Sequence, residues 1–327
     1  MHRIRNAFVA FAAWAALWTA APASAQLANY PARTITIVVP FAAGGPTDII
    51  ARIVSNALAQ SLKANVIVDN RAGGGGNIGI TYVARSAPDG HTLLLTSTAI
   101  AVNPALFDNL PYDPFKDFAP ISELVNAPNV LFVRPDSGIN SIADLVARAK
   151  AEPDKFNYSS PGVGTKSHLS GELLKLRAGI QMQHVPYRGG GLSVQSVVAG
   201  TVQVGSVALA PVEPLIKGGT IRALAVTGAN RWWSLPEVPT MIESGYPGFV
   251  SDTFNALLAP AGTPPEILAL LVKEVRAAMQ KPEAREAARR AGYEIVAGTP
   301  EQLSARIAAE IAGVKELVAK AGIKPEN

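Results

Sequence analysis

From residue 28 onward, short runs of β-branched residues alternate with stretches in which apolar side chains return every three or four positions. That alternation predicts strands separated by amphipathic helices, an α/β fold with a largely parallel sheet. Ile35, Ile37, Val38 and Val39 form the first strand, and Ile50, Ile53, Val54, Ala57 and Leu58 share one face of a helix running to about residue 62. A strand at 66–68, a short helix ending near 85 and a strand at 91–97 complete half a sheet. A second set opens with a strand at 129–133 and a helix that Ser141 and Asp144 cap, then a strand at 156–160. The next helix carries Leu169, Leu173 and Leu176 as one buried stripe. Strands at 183–187, 202–207 and 221–227 follow, with a helix through Val194, Val197 and Val198 and a helical turn at 211–217 between them. The tail reads as a strand at 254–259, a helix to 280 opened by a capping box at Thr263-Pro264-Pro265-Glu266, a short helix from Pro282 and a strand at 293–296. Thr299 caps the last helix, with Leu303, Ile307, Ile311 and Val314 on one face.

Two stretches break the pattern. Residues 103–120 hold Pro104, Pro111, Pro114 and Pro120 among aromatic residues, and residues 235–249 are similarly rich in Pro and Gly. Neither should propagate helix or sheet, so both are expected to cross irregularly between units. Two crossovers imply that one domain is inserted in the other: 26–124 plus 250–327 as the first, 125–249 as the second. Trp232 and Trp233 are expected at the surface or packed at the hinge.

The first 25 residues have the features of a secretory signal peptide: Arg3 and Arg5, an apolar run over 7–21, and Ala23-Ser24-Ala25 as a cleavage site. A membrane span needs roughly 20 apolar residues in a row, more than this run supplies, and no later segment does better. The chain has no cysteine, which excludes disulfides, thiol nucleophiles and Cys-bound metal. The formal net charge of +4 drops by two once Arg3 and Arg5 leave, and the remaining cations are scattered, so nothing marks a nucleic-acid surface.

The candidate chemistry lies in glycine loops between strands and helices. Pro40-Phe41-Ala42-Ala43-Gly44-Gly45-Pro46-Thr47-Asp48 joins the first strand to its helix, where unpaired N–H groups and the positive end of the helix dipole suit an anion. Asp48 would repel an anion and is better placed to hold the helix start. The segment 160–165 repeats the arrangement, with Thr165 as cap or donor, and two such loops facing each other would form a cleft. His168 is open between a structural hydrogen bond and the cleft, and Arg71 and Arg188 between steering a distal acid and bridging the domains. Gly74-x-Gly76-x-x-Gly79 formally fits a dinucleotide fingerprint, but the acid expected about 20 residues on is absent from 93–98. A secreted oxidoreductase or hydrolase is therefore the alternative reading. Against the hydrolase, the chain has no Gly-x-Ser-x-Gly elbow or Ser-x-x-Lys, and against a metal site, no His/acid spacing. No cofactor is called for.

A family resemblance rests on Pro40-Phe41 with Gly44-Gly45 and Asp48, Asp69-Asn70-Arg71 before the glycine run, Pro88-Asp89-Gly90 and Leu110-Pro111-Tyr112-Asp113. It continues in Gly162-x-Gly164-Thr165-x-x-His168, Val185-Pro186-Tyr187-Arg188-Gly189 and Glu243-x-Gly245-Tyr246-Pro247, spanning about 30–320. The chain resembles the Bordetella-uptake-gene (Bug) solute receptors, the TctC-like binding proteins of tripartite tricarboxylate transporters. The resemblance implies a periplasmic binding protein-like fold of type II, two α/β domains with a hinge of two crossovers, closing on a ligand. It implies a monomeric periplasmic receptor, not an enzyme, that hands a small carboxylate to membrane components of such a transporter. Carried onto this sequence, Phe41, Ala43, Gly44, Gly45 and Thr47 meet the ligand on one side and Ser160, Gly164, Thr165 and His168 on the other. Ser97 and Thr98 line the floor. Family members often carry Asp where this chain has Gln203, so no contact is carried over there. With no acid other than Asp48 placed at the cleft, the expected ligand is a mono- or dicarboxylate, aliphatic or aromatic, without an amino group.

Overall fold

The structure is a computed structural model that describes residues 30–323 apart from Asp154 and Arg188. The leader and Arg188 thus lie outside the described residues. The first run forms β1 (Ile35–Val39), followed by α1 (Pro46–Leu62), β2 (Val66–Asn70), α2 (Asn77–Ala84) and β3 (Thr92–Ser97). β1 pairs parallel with β2 and β3, as the alternation requires.

The proline-rich stretch that follows is irregular over 107–117, as expected, but regular at its two ends, contrary to expectation. Ala99–Leu106 is a helix, α3, with Pro104 inside it. Pro104 stands beyond the first turn, where proline removes one hydrogen bond and crowds the Ile100 carbonyl at a cost of about 3 kcal/mol. Burial of Ile100, Ala101, Val102 and Leu106 outweighs it. The first crossover is a single 16-residue strand, β4 (Phe118–Val133). β4 tolerates Pro120 because its pairing shifts register there.

The second set is α4 (Ile142–Ala151), β5 (Asn157–Ser160), α5 (Lys166–Ala178), β6 (Gln183–Pro186), α6 (Gly190–Val198), β7 (Val204–Ala208), α7 (Glu213–Lys217) and β8 (Arg222–Val226). The chain returns through β9 (Asp252–Pro260) and ends in α8 (Pro265–Gln280), α9 (Pro282–Arg290), β10 (Glu294–Ile295) and α10 (Pro300–Ala321). The sheet order is β2-β1-β3-β9-β4-β7-β5-β6, with β10 and β8 also on β4. The sheet is mixed rather than largely parallel, because β4 and β9 run against their neighbours. One half of β4 packs in a lobe built on β1, β3 and β9, whose core includes Ile37, Leu95, Leu257 and Leu271. Its other half packs in a lobe built on β5 and β7, with Leu131, Tyr158 and Phe249 in the core.

Three local expectations need correction. Thr263 does not cap α8: its hydroxyl donates to the Pro260 carbonyl at 2.8 Å, and Pro264 takes the cap position without a side-chain bond. The leucine stripe of α5 is half right, since Leu169 is buried but Leu176 is exposed while Leu174 faces the core. Trp232 belongs to the core with Val130 and Phe132, whereas Trp233 is half-exposed beneath the Arg289 guanidinium, 5.1 Å from its ring.

α10 rests on α3 and also reaches α5 of the other lobe. At that seam Lys166 of α5 pairs with Glu310 of α10, and Arg306 of α10 pairs with Asp252 at the start of β9. Arg306 also lies 3.8 Å from Glu310. Glu123 on β4 is buried beside them. Burial pushes its pKa up to about 7, Arg306 pulling down and Asp252 and Glu310 pushing up. The folded state therefore binds a proton that the unfolded state releases near 4.5, so this group costs stability as pH rises from 4.5 to about 7. Glu123→Gln should gain stability over the wild type across that window, levelling at on the order of 3 kcal/mol above it. Paired denaturant melts from pH 4 to 8 read this directly; a constant difference between the two proteins would refute it.

Candidate functional site

A cavity of about 360 Å³ lies between the lobes. Two helices begin on it. From the first lobe, Ser97, Thr98 and Ala99 bring the start of α3, with the Ser97 Oγ accepting from the Ala99 N–H at 3.4 Å. From the second, Gly164, Thr165, Lys166 and Ser167 bring the start of α5. Thr165 is its N-cap: the hydroxyl accepts the His168 N–H at 3.2 Å and donates to the Gly162 carbonyl at 2.8 Å. The positive ends of two helix dipoles thus converge on one space. Phe41, Leu106, Phe107 and Val163 give it apolar walls.

The loops are held open by specific contacts. Gly164 has φ +76°, which strains any L side chain, and a Cβ there would lie 2.7 Å from Leu106 Cδ1 across the cavity, so Leu106 would have to turn aside. Asn129 of β4 lines the same space and ties it to the crossovers. Its Oδ1 accepts from Ser167 Oγ at 2.7 Å, its Nδ2 donates to the Ser251 carbonyl at 2.8 Å, and its N–H donates to Thr227 Oγ1 at 2.9 Å.

Of the residues singled out in the sequence, Phe41, Ser97, Thr98, Gly164 and Thr165 line the cavity. Ala43, Gly44, Gly45 and Thr47 stand outside its lining at the start of α1. There the Gly44 N–H donates to Asp48 Oδ2 at 2.9 Å and the Gly45 N–H to the Ala42 carbonyl at 3.4 Å, so these donors are occupied. Burial works against the Asp48 carboxylate, but hydrogen bonds from Arg52, Gly44 and Asn70 prevail and hold its pKa below the ordinary value. Asp48 holds the helix start.

Ser160 and His168 form a layer behind the cavity. Ser160 is fully buried, its hydroxyl bonded to the Gly162 carbonyl at 3.1 Å and 2.7 Å from His184 Nε2. His168 Nδ1 accepts the Gly164 N–H at 3.1 Å, which turns that N–H away from the cavity. The His168 and His184 rings stack with centroids 4.1 Å apart, and His184 stacks on Tyr158. Burial lowers both imidazole pKa values, that of His184 to about 3, so both rings stay neutral and His168 remains an acceptor. Arg71 pairs with Asp69 at 2.7 Å and lies over the Tyr82 ring, away from the cavity lining.

The dinucleotide-like glycines serve packing. Gly74–Gly76 is a 3₁₀ turn, and a Cβ on Gly79 would lie 2.8 Å from Pro40 Cα, so Gly79 lets α2 close on the end of β1. Among the described residues no group of three or more His, Asp or Glu could hold a metal, and no helix is long and apolar enough to cross a membrane. Sequence reasoning missed Asn129, Lys166, Ser167 and Thr253 in the lining. Lys166 did carry a signal: a cation in the first turn of a helix opposes the dipole and calls for a reason.

With this geometry in hand, the chain matches the family described as "Tripartite tricarboxylate transporter family receptor" over residues 50–323. It is 39% identical to Protein BugT of Bordetella pertussis, covering 93% of this chain and 94% of that one. Among solved structures it is similar to R. palustris Rpa4515 with adipate, at 34% identity and TM-score 0.77 over 91% of this chain and all of that one. MatC from Rhodopseudomonas palustris with bound malate aligns at 32% identity and TM-score 0.73, over 88% of this chain and all of the other. The converging helix starts, the two lobes and these likenesses lead to one assignment: the chain belongs to the tripartite tricarboxylate transporter receptor family, whose members are periplasmic solute-binding proteins.

Proposed function

We propose that this protein binds a small mono- or dicarboxylate without an amino group in the cavity between its lobes, without catalysis. One observation carries the reading: α3 and α5 both start on a largely apolar cavity whose lining among the described residues holds one cation and no carboxylate. A bound carboxylate gains charge-assisted hydrogen bonds of about 1.5 to 3 kcal/mol each there, while an ammonium group would face two positive helix ends. The adipate and malate in the similar structures support this ligand class.

In this reading Phe41, Ser97, Thr98 and Thr165 touch the ligand. Ser160, Gly164 and His168 shape the α5 side, and Ala43, Gly44, Gly45 and Thr47 meet the ligand only when the lobes shift. The domains divide at 124/125 and 249/250, and β4 and β9 flex as the hinge. The leader at 1–25 directs export to the periplasm, where the closed monomer delivers its ligand to the membrane components of a tripartite transporter.

Titration calorimetry with butyrate, benzoate, succinate, adipate, aspartate and glutamate tests the ligand class. At least one plain acid should bind more tightly than either amino acid; tighter aspartate or glutamate binding would overturn the assignment. With that ligand at saturation, small-angle X-ray scattering should give a smaller radius of gyration than without it. Superimposable curves would instead describe a rigid pocket.

A further inference from the structure

Lys166 belongs to two spaces at once. It lines the interlobe cavity, and it also lines a larger cavity of about 740 Å³ between α5 and α10. Among the described residues it is the one charged residue in the lining of the interlobe cavity, while Glu310 lines the larger one. Its ammonium pairs with Glu310 across the seam, and both side chains are nearly buried, at 7% and 11% exposure. A lysine there is not explained by helix chemistry, since position N1 of α5 disfavours a cation.

Glu310 does not depend on Lys166 alone. Arg306 lies one turn away on α10, with Nη2 at 3.8 Å from Glu310 Oε2. Its buried Nε–H has no acceptor among the described residues, so Arg306 has donor capacity to spare. Releasing Lys166 therefore leaves Glu310 with a cation beside it rather than as an isolated buried charge, which is the outcome that would make release prohibitive. The lysine stem is long and flexible, with three rotatable donors on a point charge.

We propose that Lys166 determines specificity for a second carboxylate: a dicarboxylate in the cavity draws the ammonium from Glu310, which falls back on Arg306, while a monocarboxylate leaves the Lys166–Glu310 pair in place. The inference rests on the carboxylate reading of the cavity and adds the residue that separates diacids from monoacids. It also couples ligand class to the seam, because only a diacid releases the α5–α10 tie.

The test compares wild type, Lys166→Met, Lys166→Arg and Glu310→Gln by calorimetry with butyrate, valerate and hexanoate against succinate, glutarate and adipate, each variant first checked for a cooperative melt. Loss of one charge-assisted contact corresponds to roughly 10- to 100-fold. Lys166→Met should lower the diacid-over-monoacid preference by about that factor, Lys166→Arg should restore most of it, and Glu310→Gln should hold or raise it. If Lys166→Met and Glu310→Gln weaken both acid classes alike, the pair is a structural strut and the inference fails while the carboxylate reading stands. If wild type binds neither class, the carboxylate reading fails and takes the inference with it. If Lys166→Met does not fold, Glu310→Gln decides: a loss of diacid preference there overturns the proposal, and a retained or raised preference supports it.

Discussion

The structure depends on the buried amide of Asn129. This residue sits on β4 at the boundary between the lobes: its side chain holds Ser167 at the start of α5 and Ser251 before β9, and its backbone N–H holds Thr227 after β8. A buried amide left without partners costs about 1 to 3 kcal/mol for each unpaired group, so these segments are kept in register together. Ser170 adds a bond from α5 to Ser251 at 2.9 Å. The start of α5 is thereby fixed to β4 and to the chain entering β9.

The same economy of charge runs through the site. Asp48 neutralises the start of α1 from within, and the neutral His168 receives the Gly164 N–H, so two of the three loop-to-helix junctions near the cavity satisfy themselves. What faces the cavity is a set of hydroxyls, the starts of α3 and α5, and Lys166. The dipoles among these groups are already oriented by the fold.

How much of this could be read from sequence depended on how local each cause was. The strands were legible because runs such as Ile35 to Val39 are β-branched and bounded by turn residues. The role of Asp48 was legible because a carboxylate in a first helical turn has a local partner in the Gly44 N–H. α3 and the continuity of β4 were missed because Pro104 and Pro120 break helices and sheets in isolation, and tertiary burial overrides that preference here. Lys166 was missed for the opposite reason: its partner Glu310 is 144 residues away, and only the folded chain brings them together. Gly44 and Gly45 stand outside the lining of the cavity on which α3 and α5 begin, and Asp48 and Ala42 take their N–H groups.

Trp232 and Trp233 are the two tryptophans of the described residues, adjacent in sequence yet in opposite surroundings. Trp232 is sealed in the core of the second lobe, while Trp233 lies under Arg289, which α9 extends from the first lobe. A charged group over an indole alters its emission, and this charge belongs to the other lobe. The chain thus carries two spectroscopically distinct indoles side by side, one sealed in a core and one in contact with a charge from the other lobe.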